Sequence, residues 1–235
     1  MRISFNQPAF IPWGGFFARL VRSDRMVLLD ETVLGRGFTY VNRNRLKGPE
    51  GEIWITVPLR RKGRGPQKIR DLEIHEKEWW ARKFLLTLRH YYGNSLYFGA
   101  DFSKLGKVMG ESGESFISLA IGLLEILREG FGITSDFVLQ SNLGVGGQGT
   151  SLLVSIAMEM GASEVVLPDG ADKAVELAQF TKEDIKVFFL RYLAIPYPQF
   201  WGDFRANLSA LDLLLCAGRD GRGVIEKGAR LQRVG

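Results

Sequence analysis

Short apolar runs alternate with longer amphipathic segments along the chain, and this alternation predicts repeated strand–loop–helix–strand units. Units of this kind build parallel sheets, whose ligand crevices lie at the carboxyl ends of the strands. The predicted strands are 2–5, 25–30, 136–140, 164–167 and 186–192, with helices at 16–22 and 150–160.

Between the first predicted unit, 2–30, and the second, 136–167, two apolar segments alternate as in antiparallel strands. Segments 38–41 and 53–59 flank the turn-forming sequence Gly-Pro-Glu-Gly at 48–51, and this arrangement predicts a β-hairpin. Helical periodicity elsewhere predicts amphipathic helices, at 76–92, 115–129, 171–180 and 207–215.

The expected fold class is α/β, a mostly parallel twisted sheet flanked by helices, with an inserted β-hairpin. No Pro-, Gly- or Ser-rich linker divides residues 1–218, so we predict one domain over this range. Residues 219–235 are polar and rich in Gly and Arg, and we expect them to form a loosely ordered tail.

The composition is that of an ordinary globular protein, with 46% hydrophobic and 24% charged residues. No apolar run approaches the roughly 20 residues that span a bilayer, so no membrane span is expected. Two early prolines interrupt the region where a secretory signal needs apolar residues. The single cysteine, Cys216, cannot form an internal disulfide, and a reducing cytoplasm is the expected location.

The net charge of +5 is concentrated in residues 36–70, which we call the basic segment. It holds ten Lys and Arg against two Glu, so the rest of the chain is slightly acidic. A local excess of positive charge predicts an anionic partner, here a nucleotide, a sugar nucleotide or another phosphate-bearing molecule.

The best candidates for anion binding lie at 42–47, where the sequence reads Asn-Arg-Asn-Arg-Leu-Lys. In a strand, Arg43, Arg45 and Lys47 would share one face and Asn42 and Asn44 the other. Arginine forks match phosphate and carboxylate oxygens bidentately. The alternative is a solvated hairpin edge, where Lys and Arg prevent pairing with other strands.

The sequence NQPAFIPWGG at 6–15, which we call the opening loop, follows the first predicted strand. Its two prolines fix the backbone and its two glycines allow close approach, so Asn6 and Gln7 are expected at a fixed place near the strand end. Asp30 closes the second strand, the usual location of a general base. The alternative for the opening loop is a well-packed turn without chemistry.

A glycine-rich loop at 141–149 precedes the helix at 150–160 and contains a literal G-x-G-x-x-G, with Asp169 about 20 residues further on. Three residues separate the strand end from the first glycine, whereas a dinucleotide site needs an immediate tight turn. A simpler phosphate cradle made by Gly147, Gly149 and Thr150 at the helix start is the favoured alternative.

Three segments resemble the WbqC-like protein family: QPAFIPWGGFFARLVRSD, VNRNRLKGPEGEIWITVPL and YPQFWGDFRANLSALDLLLCAG. The resemblance implies a cytoplasmic bacterial protein, since genes for members of this family are often found among those for surface polysaccharide and O-antigen synthesis. The resemblance favours a binding role for 42–47 and adds Asn207. The family usually has histidine in place of Asn6, and this asparagine cannot titrate.

The resemblance implies a cytoplasmic enzyme, a transferase of bacterial surface-polysaccharide synthesis that acts on a nucleotide-, phosphate- or acyl-activated substrate. The alternative is a non-catalytic protein that binds nucleic acid or another polyanion through the basic segment, although charge alone supports it. No cofactor or metal site follows from the sequence, and an oligomer is compatible with it. Under the enzyme hypothesis, Gln7 and Asp30 are catalytic, Asn6, Asn42, Arg43, Arg45, Lys47 and Asn207 bind substrate, and Gly147, Gly149 and Thr150 bind phosphate.

Overall fold

The structure, a computed structural model, describes residues 1–234 apart from the side chain of Ala100. A six-stranded sheet has the order β5-β2-β1-β6-β7-β8 and is parallel except for β8, which runs antiparallel to β7. Strands β3 and β4 form a separate antiparallel hairpin. The strands are β1 Arg2–Asn6, β2 Arg25–Leu28, β3 Arg43–Gly48, β4 Gly51–Thr56, β5 Asp136–Leu139, β6 Glu164–Pro168, β7 Lys186–Tyr192 and β8 Ala229–Val234.

Both faces of the sheet are covered by helices, because the strand side chains alternate between two apolar clusters. Met26 and Leu28 belong to the larger cluster, whereas Val27 belongs to the smaller one with Ile3 and Phe5. The helices are α1 Gly14–Val21, α2 Lys77–Tyr92, α3 Phe98–Glu111, α4 Phe116–Gly130, α5 Gly149–Glu159, α6 Leu177–Lys182, α7 Ala210–Ala217 and α8 Gly221–Gly228. The predicted α/β class is confirmed.

The predicted hairpin is also confirmed, with its first strand displaced toward the turn. Residues 38–41 lie outside it, and β3 occupies the polar stretch Arg43–Gly48 instead. Asn44 and Leu46 of β3 face the core and are almost fully buried. A buried asparagine fits this position because its amide is hydrogen bonded.

The prediction of a loosely ordered tail after residue 218 is wrong. Residues 221–228 form α8 and residues 229–234 form β8, which pairs with β7 from Val187↔Val234 to Tyr192↔Ala229. Buried Ile225 and Ala229 anchor this polar segment to the larger cluster. Two well-placed apolar side chains and a strand edge therefore order a stretch whose composition looks unstructured.

Two further differences concern helices. Helix α3 was not predicted, because three glycines interrupt its apolar pattern. The last predicted helix begins at Ala210 rather than Asn207, since Ser209 caps it by accepting a hydrogen bond from the Leu211 amide at 3.1 Å. Asn207 lies before the cap in a left-handed conformation, with φ of 58°.

Candidate functional site

Backbone hydrogen bonds join three regions that are far apart in the sequence. The Phe10 amide donates to the Val41 carbonyl at 2.7 Å, and the Ala210 amide donates to the Pro12 carbonyl at 2.7 Å. The Ser209 amide donates to the Arg45 carbonyl at 2.9 Å. The opening loop, the hairpin and the start of α7 thus form one assembly at the carboxyl end of β1.

Ile11 lies at the centre of this assembly in a strained conformation. Its φ of 38° is unfavourable for a β-branched residue. The Ile11 carbonyl accepts hydrogen bonds from Asn44 Nδ2 at 2.8 Å and from Ser209 Oγ at 2.6 Å. All three residues are buried, so the hairpin and α7 together hold the opening loop in a conformation it would not adopt alone.

The two glycines of the opening loop are required for packing. A Cβ at Gly14 would lie 2.8 Å from Cζ of Tyr192 and closer still to its hydroxyl. A Cβ at Gly15 would lie 2.5 Å from the ring of Trp13. The Trp13 and Tyr192 rings meet edge to face with centroids 5.3 Å apart, so α1 begins tightly against β7.

A cleft opens beside this assembly and has two adjoining parts that share Trp13, Tyr40 and Asn44. The inner pocket, of about 140 Å³, reaches Asn6 at the end of β1. The outer pocket measures about 380 Å³ and carries Arg45 and Asn207. The remaining residues of the inner pocket are Gln7, Ala9, Pro12, Phe16, Arg19, Thr39 and Val41.

The amides at the end of β1 are held in place, as predicted for a stiff loop. Asn6 Oδ1 accepts a hydrogen bond from the Gln7 amide at 3.1 Å, and Gln7 Nε2 donates to Thr32 Oγ1 at 3.0 Å. Thr32 in turn donates to the Leu29 carbonyl at 2.7 Å. The side chain of Gln7 is therefore oriented by the segment that follows β2.

Arg19 of α1 lines the inner pocket and is 6% exposed. Within residues 1–234 its Nε has no hydrogen-bond partner, and its guanidinium forms no ion pair. Burial lowers the pKa of Arg19 to about 10. Sequence reasoning missed this residue, although a lone arginine within the apolar run GGFFARLV indicates a charge on a buried helix face.

The basic residues of β3 share one face as expected, but their surroundings differ. The Arg43 guanidinium lies over Phe38 and Trp54, 5.0 and 5.9 Å from the ring centroids. Arg45 pairs with Glu52 at 2.7 Å and donates to the Asn207 carbonyl at 3.1 Å. Arg45 lines the outer pocket, whereas Arg43 does not.

Lys47 is buried, and its ammonium donates to the carbonyls of Gly202, at 3.0 Å, and Asp203. Its backbone amide donates to the Tyr92 hydroxyl at 3.0 Å. These contacts place Lys47 beneath residues 202–203, and it does not line the cleft. Its predicted role in substrate binding has no support from this position.

Beneath Lys47, the buried carboxylate of Asp212 accepts hydrogen bonds from two phenols. The Tyr92 hydroxyl donates at 2.5 Å and the Tyr197 hydroxyl at 2.7 Å. Burial raises the pKa of Asp212, and the two phenol donors oppose that rise. Burial and the nearby carboxylate raise the pKa of both tyrosines, so this network ties α2, α7 and the hairpin together through neutral phenols.

Two other predicted site residues lie apart from the cleft. Asp30 is buried, and its Oδ1 accepts a hydrogen bond from the Ser141 amide at 3.0 Å, which links the ends of β2 and β5. Asn42 Nδ2 donates to the Val57 carbonyl at 2.9 Å. Neither residue lines the cleft.

The glycine-rich loop also lies outside the cleft lining. Gly147 and Gly149 adopt positive φ, of 132° and 57°. The hydroxyl of Thr150 accepts a hydrogen bond from the Glu176 amide at 3.0 Å. That hydrogen bond links the start of α5 to the residue before α6, a structural role that the phosphate hypothesis did not include.

Five of the ten cations in the basic segment pair with carboxylates. Glu73 pairs with two of them, Glu31 pairs with two others, and Glu52 pairs with the fifth. The paired residues are Arg45, Arg60, Arg64, Lys68 and Arg70. The charge available to an external polyanion is therefore smaller than the sequence suggests.

A parallel α/β sheet with a cleft at the carboxyl end of its central strand defines a class of ligand-binding proteins. The chain belongs to the WbqC-like protein family, whose profile matches residues 7–223. It is similar to the uncharacterized protein Rv1507c of Mycobacterium tuberculosis, with 28% identity over 221 residues, or 93% of this chain and 95% of that protein. No solved structure shows a significant match.

Neither a membrane span nor a metal cluster is found in the described part of the chain. No helix within residues 1–234 is long and apolar enough to cross a bilayer. Those residues also contain no group of three or more His, Cys, Asp or Glu arranged to hold a metal ion.

Proposed function

We propose that the chain is a cytoplasmic transferase of surface-polysaccharide synthesis that acts in the cleft on a nucleotide-, phosphate- or acyl-activated substrate. One observation carries the proposal, namely that the three family-like segments converge on the cleft although they lie far apart in sequence. Strain at Ile11 supports a functional reading, because such conformations cluster at active sites and ligand clamps.

The lining of the cleft suits a ligand that has both a ring and polar groups. Trp13 and Tyr40 offer aromatic faces, on which a sugar or a base can stack. Asn6, Gln7 and Asn207 offer amides that fix its orientation.

The role that Gln7 can play follows from its chemistry. An amide cannot transfer a proton at neutral pH, so Gln7 would position the substrate or polarise its reacting carbonyl or phosphoryl oxygen. With asparagine at position 6, the proposal assigns no titrating group to the end of β1. Asp30 lies outside the cleft, and we propose that it positions the β2 and β5 ends.

Thermal unfolding with a panel of sugar nucleotides, nucleoside triphosphates and acyl phosphates tests the proposal. At least one compound should raise the melting temperature of the wild-type chain, and Tyr40→Ala should remove this rise. Tyr40 is 52% exposed, so the substitution should leave the fold intact. Trp79→Ala, at an exposed aromatic on α2, is the matched control and should retain the response.

The polyanion-binding alternative is favoured by one observation. Phe38, Tyr40 and Trp54 form an exposed cluster with centroids 5.2–5.9 Å apart, and Arg43 lies over two of the rings. Such surfaces stack single-stranded bases. A strongly salt-dependent affinity for an oligonucleotide, with no stabilisation by small ligands, would favour this alternative over the transferase.

A further inference from the structure

We propose that Arg19 is the anion anchor of the cleft and holds the phosphate or carboxylate group of the ligand in the inner pocket. This inference rests on the proposed function, because it names the chemical group that the same cleft recognises. It concerns a residue on α1 rather than the basic segment.

The first observation is burial without a partner. Arg19 is 6% exposed, and no carboxylate within residues 1–234 pairs with it. Buried guanidinium groups are normally paired and hydrogen bonded, because an unpaired buried charge is costly. An external anion would supply the missing partner.

The second observation is where the side chain lies. Arg19 shares the inner pocket with Asn6, whose Oδ1 is occupied by the Gln7 amide and whose Nδ2 makes no hydrogen bond within residues 1–234. The fork of Arg19 and the amide of Asn6 are thus two groups of donors lining one space of about 140 Å³. Such a space accommodates a single phosphate or carboxylate group.

The apolar walls would strengthen such a contact. Pro12, Trp13, Phe16 and Val41 also line the inner pocket. An oxyanion bound against these walls is shielded from water on that side, and a charge-assisted hydrogen bond is stronger where water is excluded. The ring of the same ligand would extend into the outer pocket, between Trp13 and Tyr40.

Arg45 shows what an ion-paired arginine at the cleft looks like, although its Nε also has no hydrogen-bond partner within residues 1–234. Its guanidinium already contacts Glu52 and the Asn207 carbonyl, so it has less capacity for a ligand. Arg19 has neither kind of contact. Of these two cations in the cleft lining, Arg19 is therefore the better anchor.

The test titrates the full chain with inorganic phosphate and, separately, with acetate, by calorimetry and thermal unfolding. Wild-type protein should bind at least one anion. Arg19→Met should weaken that binding roughly 10- to 100-fold. The affinity of Arg19→Lys should lie between those of wild type and Arg19→Met, because lysine keeps the charge but lacks the guanidinium fork. Affinity should also decline once the pH rises above about 10, the pKa of Arg19, where the side chain loses its charge.

Arg22→Met is the matched control. Arg22 comes directly after α1, three residues beyond Arg19, and also has an Nε without a partner, but it does not line the cleft. This variant should bind the anion as wild type does. Arg19→Met should be at least as stable as wild type without the anion, which separates loss of binding from loss of folding.

The outcomes distinguish this inference from the proposed function. Unchanged anion binding by Arg19→Met, or no binding of either anion by wild type, overturns the inference. Stabilisation by a sugar nucleotide that survives Arg19→Met also overturns it while keeping the transferase proposal. Arg19-dependent anion binding without any response to activated sugars keeps the anchor and counts against the transferase. A preference for phosphate or acetate identifies the group.

Discussion

Two loops follow parallel strands of the same sheet and lead into helices, yet they differ in almost every other respect. The glycine-rich loop has the sequence of a phosphate cradle, but a Cβ at Gly144, Gly146 or Gly149 would meet no atom within 4 Å. The opening loop has no such motif, but a Cβ at Gly14 or Gly15 would clash with aromatic rings. Only the opening loop borders the cleft.

The difference lies in how each loop uses its polar groups. In the glycine-rich loop, the Val145 carbonyl accepts a hydrogen bond from Gln140 Nε2 at 3.4 Å. In the helix that follows, the Thr150 hydroxyl accepts a hydrogen bond from the Glu176 amide. The opening loop is held by hydrogen bonds that Asn44 and Ser209 donate to its Ile11 carbonyl. The side chain of Arg19, which lies beside this loop, has no ion pair, and its Nε has no hydrogen-bond partner within residues 1–234. A rigid frame around an unsatisfied charge is a better mark of a binding site than glycine spacing.

The two loops should differ most in how much a glycine-to-alanine substitution in each changes the free energy of unfolding. Gly14→Ala forces a Cβ into Tyr192 and should lower the free energy of unfolding by about 2–3 kcal/mol. Gly146→Ala meets open space and should change it by less than about 0.5 kcal/mol. Urea denaturation measures both, and equal effects would mean that the opening loop is not tightly packed.

A second contrast compares the polar supports of the two loops. Asn44→Ala removes a buried donor from the strained Ile11 carbonyl and should lower the free energy of unfolding by about 2 kcal/mol. Thr150→Val removes an acceptor from the half-buried Glu176 amide and should lower it by about 1 kcal/mol. A larger loss for Thr150→Val in the same denaturation experiment would reverse the comparison.

The sequence predicted the strands that carry these loops better than it predicted which residues line the cleft. Apolar runs located β1, β2, β5, β6 and β7, because strands buried on both faces need continuous apolar residues. The stiffness of the opening loop predicted that Asn6 and Gln7 are held at the end of β1, and the hydrogen bonds of both side chains agree with this. Strand β8 escaped prediction, because pairing with β7 rather than its own composition orders it.

Arg19 and Lys47 show why the site itself was harder to predict. Helical periodicity places Arg19 on the apolar face of α1, but only the fold shows that a pocket opens there. Alternation correctly places Lys47 beside Arg45, but residues 202–203, far away in sequence, cover its ammonium. Ligand access depends on which distant segment lies above a residue, and no local pattern encodes this.

The last contrast concerns pH and the buried network below the hairpin, which has no counterpart at the glycine-rich loop. The raised pKa of Asp212 means that folding favours its protonated form. Its contribution to stability is complete below its unfolded pKa, near 3.8, and is lost as the pH rises through the folded pKa. Asp212→Asn cannot titrate, so its stability relative to wild type should rise over this range.

Calorimetric melting of Asp212→Asn and wild type from pH 4 to pH 8 measures the difference. Thr150→Val, which removes no titrating group, should show a constant difference from wild type over the same range. A falling relative stability of Asp212→Asn would mean that the two phenols stabilise the carboxylate more than burial destabilises it.

The order of strands in the sheet has a consequence for the way the chain is assembled during synthesis. Strand β1 is made first, but it lies between β2 and β6, so one of its edges stays open until residues 164–168 have left the ribosome. The cleft is completed later still, when Ser209 reaches Ile11. Nascent chains halted before these points would expose an apolar strand edge, which chaperones and aggregation both recognise.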